Sequence, residues 1–137
     1  MTKLYYVQTN DKGGIFTKVP SEWEAGKRYM GGTFAPVPEG AQRLLRAIDI
    51  NTGKAVWSLP QVGGVDSWGG VISTAGGVVI FGEDSGALMA ADATTGKALW
   101  SFQTSAQWKA SPMTYLFDNK QYVAVAAASN IIAFGLP

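Results

Sequence analysis

The sequence contains neither cysteine nor histidine. Without cysteine there is no disulfide, thiol nucleophile, zinc–thiolate centre or attached c-type haem. Without histidine the commonest general base and every Ser-His-Asp triad are excluded. Any catalysis would have to rest on carboxylates, lysine, tyrosine or a bound cofactor. Charge is also scarce: charged side chains make up 15% of the 137 residues, with 11 basic and 10 acidic groups scattered along the chain. A net charge of +1 without a basic stripe is unsuited to neutralising phosphates, which argues against a nucleic-acid partner. No apolar run reaches membrane-spanning length. No signal-peptide-like apolar stretch follows Met1, so the chain as given carries no export signal. What is plentiful is apolar and turn-forming material: 47% hydrophobic residues and 17 glycines, enough for a core interrupted by many turns.

One segment occurs twice. Arg46 to Gln61 reads RAIDINTGKAVWSLPQ, and Met89 to Thr104 reads MAADATTGKALWSFQT. The offset is 43 residues, and 8 of 16 paired positions are identical. A period of roughly 40–45 residues, with short strands on either side of a turn, is the signature of a β-propeller blade. The rest of the chain fits the same reading. Apolar and β-branched runs bounded by Gly, Asn or Asp predict ten short strands: 4–9, 44–50, 55–59, 71–74, 78–82, 87–91, 98–103, 113–117, 121–127 and 131–134. The fold class expected is all-β, a partial propeller with one complete four-stranded blade (67–104) between two incomplete ones (4–60 and 108–137). The stretch 10–42, rich in glycine, proline and polar residues, reads as a long insertion loop. Within it Ser21 and Glu24 have capping-box spacing and Gly26 can stop a helix, which predicts one helical turn at Ser21–Ala25.

The repeated residues have physical reasons to recur. Gly53 and Gly96 suit a turn that needs positive φ. Asp49 and Asp92 can accept hydrogen bonds from the turn amides. Trp57 and Trp100, on the outer strand of each hairpin, can bury a large ring against the next blade while keeping an indole N–H for a partner. All six therefore read as a structural docking motif. Asp66 and Lys109 both precede inner strands and fall on one rim by repeat logic; each is also explained as a solvated rim charge. Glu83 and Asp84 read as the start of a turn rather than as metal ligands, because neighbours in a strand point to opposite faces. Tyr5, Tyr6, Tyr115 and Tyr122 read as packing residues.

The doubled Ala-x-Asp-x-x-Thr-Gly-Lys-x-x-Trp resembles the tryptophan-docking motif of the quinoprotein alcohol dehydrogenases, which use pyrroloquinoline quinone (PQQ). Trp68-Gly69-Gly70, Ser111-Pro112-Met113-Thr114-Tyr115, Lys120-Gln121-Tyr122-Val123-Ala124-Val125 and the ending Ile132-Ala133-Phe134-Gly135-Leu136-Pro137 continue the resemblance in order. It implies the C-terminal portion of an eight-bladed enzyme that oxidises alcohol to aldehyde. In that family the quinone lies over the central channel with Ca²⁺ or a lanthanide, and electrons pass to a cytochrome or haem domain. The parent family is periplasmic. The resemblance places Trp68, Gly69 and Gly70 at the edge of the quinone pocket, where Lys109 could meet a quinone carboxylate. The family's catalytic aspartate and metal ligands belong to earlier blades, so no catalytic or metal residue is expected here, and no quinone bound by this chain alone. Its partners are expected to be the missing blades or a second copy of itself, as a homo-oligomer. Two alternatives stand beside the enzyme reading: a non-enzymatic PQQ-like propeller module (scaffold or sensor), and a free-standing, self-assembling fragment.

Overall fold

The computed structural model describes residues 3–20, 22–63 and 69–135. All regular structure among them is β-strand: β1 (Leu4–Lys18), β2 (Gly32–Asp49), β3 (Ala55–Pro60), β4 (Val71–Ser73), β5 (Val78–Gly82), β6 (Ala87–Asp92), β7 (Ala98–Gln103), β8 (Met113–Phe117), β9 (Lys120–Ala127) and β10 (Asn130–Gly135). They form three antiparallel sheets. The four-stranded sheet β4-β5-β6-β7 stands between β1-β2-β3 and β10-β9-β8 in the sequence. The chain is therefore all-β, with one full blade and two three-stranded ones. The third sheet repeats the second, its strands beginning 42 or 43 residues after their counterparts.

The repeat extends to backbone irregularities. Register breaks between Ala47 and Ile48 in the first sheet and between Ala90 and Ala91 in the second. Each bulge leaves one residue of the outer strand unpaired, Val56 or Leu99, just before the repeated tryptophan. Between β8 and β9, Asp118 and Asn119 carry φ of 48° and 59°, so a two-residue turn reverses the chain where Asp and Asn tolerate the left-handed region best.

The stretch 10–42 is not a loop. β1 and β2 continue through it as a two-stranded arm, paired from Gly13↔Val37 to Lys18↔Gly32, with a register break between Asp11 and Gly13. The glycines and prolines that argue for a loop are accommodated by the arm itself. Phe16 and Phe34 lie directly opposite each other, and their rings cover the glycines on the facing strand, Phe34 over Gly14 and Phe16 over Gly32. Aromatic cover of this kind offsets the packing that a glycine lacks. Pro36 is tolerated because β3 pairs with β2 only from Leu44 to Ile48, leaving the arm's other edge free of a ladder. Among the described residues no helical turn forms at its tip. The chain reverses there through Ala25 and Gly26, closed by Lys27 N–H donating to the Glu24 carbonyl at 3.2 Å; Ser21 lies outside the described residues.

Two apolar cores join the sheets. Leu45 of the first sheet packs with Val79, Phe81, Ala91 and Ala93 of the second, flanked by Tyr6, Trp57 and Leu59. Ile80, Leu88 and Ala90 of the second sheet pack with Val125 and Ala127 of the third around Trp108. Strand directions then give the molecule two ends. The β2–β3, β4–β5 and β6–β7 turns lie at one, the docking end. The β5–β6 turn (83–86), the β9–β10 turn, the segments 61–63, 69–70 and 104–112, and the arm lie at the other, the rim end.

Candidate functional site

At the docking end, Asp49 Oδ1 accepts from the amides of Asn51 and Thr52, both at 2.9 Å. Asp92 Oδ1 accepts from Thr94 N at 3.0 Å, and from Thr95 N and Oγ1, both at 2.8 Å. Gly53 and Gly96 complete the two turns at φ of 69° and 74°. Trp57 reaches across to the next sheet's turn. Its indole N–H donates to the Ala93 carbonyl at 3.2 Å, beside the Tyr6 hydroxyl, which donates to the same oxygen at 2.9 Å. The Trp57 ring lies so close over Gly96 that a Cβ there would come within 2.8 Å of it. Trp100 does not repeat this burial. It is 44% exposed, stacks on Phe102 and meets Phe134 edge-on at 5.4 Å. It lines an apolar cavity of about 380 Å³ together with Ile80, Leu88 and Val123. The difference is physical: Trp57 has a complete docking turn to land on, and no described turn follows β10 to receive Trp100.

These turns also set an acid dependence. Hydrogen bonds, chiefly from the Thr52 and then the Asn51 amide, hold Asp49 below the usual carboxylate range. The Thr95 hydroxyl, then its amide, does the same for Asp92. Because the folded pKa values are depressed, their stabilisation is fully present above the unfolded value of about 3.9 and is lost as pH falls through the folded values. An acid titration followed by circular dichroism is expected to show a shallower unfolding limb below about pH 4 for Asp49→Asn/Asp92→Asn than for the unmodified chain; superimposable limbs would contradict it.

At the rim end, Gly70 and Ser111 come together. The segments before β4 and before β8 approach so closely that a Cβ on Gly70 would overlap the Ser111 side chain. Two residues before Ser111, Lys109 is exposed at the wall of an open cavity of about 600 Å³, lined also by Ser105, Gln107, Ala110, Ala126 and Ala128. That is within the size range of small-molecule sites, roughly 300–1,000 Å³. Gly69, Gly70 and Lys109 thus lie at one end of the sheets, and the docking residues at the other. Trp68 and Asp66 lie outside the described residues.

The β5–β6 turn sits at the same rim and carries more than a reversal. Glu83 accepts from Val62 N at 3.4 Å and from Ser85 Oγ at 3.0 Å. Asp84 faces Arg43 of β2 across the sheet boundary, Oδ2 to Nη1 at 3.4 Å, with both side chains almost fully buried. Arg43 Nη2 donates to the Gly82 carbonyl at 3.1 Å and to Gln8 Oε1 at 3.2 Å. Burial pulls the Arg43 guanidinium below its ordinary pKa, against the opposing pull of Asp84 and Glu83. The pair is a buried tie between sheets.

Sequence reasoning missed Trp108. It is fully buried, 0% exposed, and its indole N–H donates to the Gly86 carbonyl at 2.7 Å. Gly82 is required beneath it, since a Cβ there would overlap the Trp108 Cβ. The repeat could not reveal this residue, because Val65 stands 43 positions earlier.

The rim offers an open cavity walled by the exposed Lys109, while the space where a Gly70 side chain would stand is taken by Ser111. Among the described residues, no group of three or more acidic, histidine or cysteine side chains is gathered. No helix there is long and apolar enough to cross a membrane.

The family model of the PQQ-type glucose/ethanol/alcohol dehydrogenase β-propeller domain matches residues 58–123. The quinoprotein alcohol dehydrogenase PedH of Pseudomonas putida is 36% identical over 128 residues, which is 92% of this chain and 21% of that protein. Among solved structures, a europium-containing methanol dehydrogenase superposes with a TM-score of 0.79 at 32% identity, covering 89% of this chain and 22% of that one. The quinohemoprotein alcohol dehydrogenase from Comamonas testosteroni gives 0.77 at 29% identity, over 91% of this chain and 20% of its own. The chain spans about a fifth of the length of the proteins it matches. Sequence and fold together make it a partial β-propeller homologous to a stretch about a fifth of the length of the quinoprotein alcohol dehydrogenases it matches.

Proposed function

We propose that the chain contributes blades and one wall of the quinone pocket to a PQQ-dependent alcohol dehydrogenase that oxidises an alcohol to an aldehyde. The observation that carries this is the open rim cavity of about 600 Å³ walled by Lys109. When bound, the quinone supplies the oxidant, taking up the two electrons and two protons that leave the alcohol. The chain's own residues bind and orient. Gly69 lets the backbone approach the ring system, Gly70 lets the segment before β4 close on Ser111, Lys109 meets a quinone carboxylate, and Trp68 supplies a flat apolar face by its place in the motif. The catalytic base and the ligands to Ca²⁺ or a lanthanide come from blades outside this chain, as does the cytochrome or haem acceptor, and the compartment is the periplasm. One wall does not make a pocket, so the chain alone binds no quinone and turns over no alcohol.

The test is quinone titration of a ring-complete enzyme containing this segment. Lys109→Ala is expected to weaken PQQ binding roughly tenfold, the loss of one charge-assisted hydrogen bond. If neither Lys109→Ala nor Trp68→Ala changes the affinity, the quinone-wall reading fails.

A second reading has its own support. Met113, Phe117 and Ile131 of the last sheet are exposed, Ile131 at 81%, and among the described residues no strand pairs with the outer edge of β10. An apolar face beside an open strand edge favours association, so the missing blades or a second copy of the chain, as a homo-oligomer, would cover it.

A further inference from the structure

We propose that Trp108 is a positioning residue of the rim: anchored on the Gly86 carbonyl, it mounts Lys109 and Ser111 on the β5–β6 turn of the full blade. The turn is closed on itself, with Gly86 N–H donating to the Glu83 carbonyl at 3.1 Å and Glu83 N–H to the Ala87 carbonyl at 2.8 Å. Onto it the segment 103–108 makes four bonds. Thr104 N and Oγ1 donate to the Gly86 carbonyl at 2.8 and 3.1 Å, Gln103 Nε2 donates to the Ser85 carbonyl at 2.8 Å, and the Trp108 indole closes the set at 2.7 Å. The first three hold the start of the segment as it leaves β7. The indole bond is the one that reaches the residue immediately before Lys109.

The side-chain directions follow. Trp108 points into the core between the second and third sheets, among Ile80, Leu88, Ala90, Val125 and Ala127. Its neighbour Lys109 is exposed at the cavity wall, and Ser111 meets Gly70. A large ring locked in the core by packing and by one buried hydrogen bond cannot turn without carrying Lys109 and Ser111, one and three residues after it. The same turn takes the other wall's approach: Val62 N donates to Glu83, and Gly63, at φ of 121°, lies where a Cβ would come within 2.6 Å of Asp84 Cβ. One turn of the full blade thereby receives chain segments from both sides of the rim. The inference rests on the quinone-wall reading for its purpose, but not for its test.

The test is residue-resolved amide hydrogen exchange of the full 137-residue chain, comparing Lys109–Ser111 with Leu88–Ala91 in the middle of the same blade. Trp108→Phe keeps an aromatic ring and removes the N–H. It is expected to speed exchange at Lys109–Ser111 about tenfold more than in β6. Replacing Trp108 with benzothienylalanine, which exchanges the N–H for sulfur at nearly constant shape, is expected to give the same local acceleration even if the phenylalanine variant does not fold. Equal acceleration at both places would mean that Trp108 contributes only overall stability, and no acceleration would mean that the indole bond positions nothing; either result overturns the proposal. Failure here leaves the Lys109→Ala quinone titration unaffected, so the two readings fail separately.

Discussion

Replacing Trp108 with alanine is expected to lower the unfolding free energy by about 3–5 kcal/mol, among the largest effects of any single substitution in the chain. The ring is fully buried and sits where the second and third sheets meet. Removing it deletes a large apolar surface and leaves a cavity walled by Ile80, Leu88 and Val125, side chains on two different sheets that cannot collapse onto each other without moving a blade. It also takes one donor from the Gly86 carbonyl, which keeps those from Thr104, so the hydrogen bond is the smaller part, about 1 kcal/mol. Urea denaturation followed by far-ultraviolet circular dichroism measures the loss. A shift under about 1 kcal/mol would show that the third sheet is held by other contacts.

Arg43→Ala is expected to be comparably damaging, about 3–5 kcal/mol, for an electrostatic reason. Arg43 is 3% exposed and Glu83 7% exposed. Without the guanidinium, the Asp84 and Glu83 carboxylates at the sheet boundary lose the cation that faces them. A buried pair adds little net stability over apolar groups of the same shape, but stranding one side of it is expensive. Combining Arg43→Met with Glu83→Gln and Asp84→Asn removes all three charges together, and is expected to recover a large part of the loss. Midpoints of urea unfolding for the single and combined variants decide the matter. If the combined variant is no more stable than Arg43→Ala, packing by the long arginine stem, and not charge, is what the site requires.

Some of this molecule is readable directly from its residues. Asp49, Gly53 and Trp57, and Asp92, Gly96 and Trp100, advertise their turns because the bonds involved are local: a carboxylate closing on amides two and three residues ahead, and a glycine where φ must be positive. The arm is not legible in this way, because local signals point the wrong way there. Gly13, Gly14 and Pro36 weaken any strand taken alone; the Phe34 ring over Gly14 and the unladdered edge beside Pro36 make the arm tolerable. Glu83 and Asp84 do begin a turn, but nothing local says that an arginine 41 residues before Asp84 will be buried against it. Trp108 has no repeat partner to draw attention to it. At the rim, the Gly69-Gly70 motif was visible in the sequence, whereas its contact with Ser111 was not.

The sequence by itself determined the number of strands, the two near-identical hairpins and the chemistry that is impossible without cysteine and histidine. Those follow from short-range periodicity and composition, which need no partner elsewhere in the chain. Only the tertiary structure decided that Trp57 is docked while Trp100 stays half-exposed, that a glycine-rich stretch is an arm, and that the β5–β6 turn joins the first sheet to the rim. Each of these depends on which side chain arrives from tens of residues away, and burial and pairing at that range are properties of the packed chain.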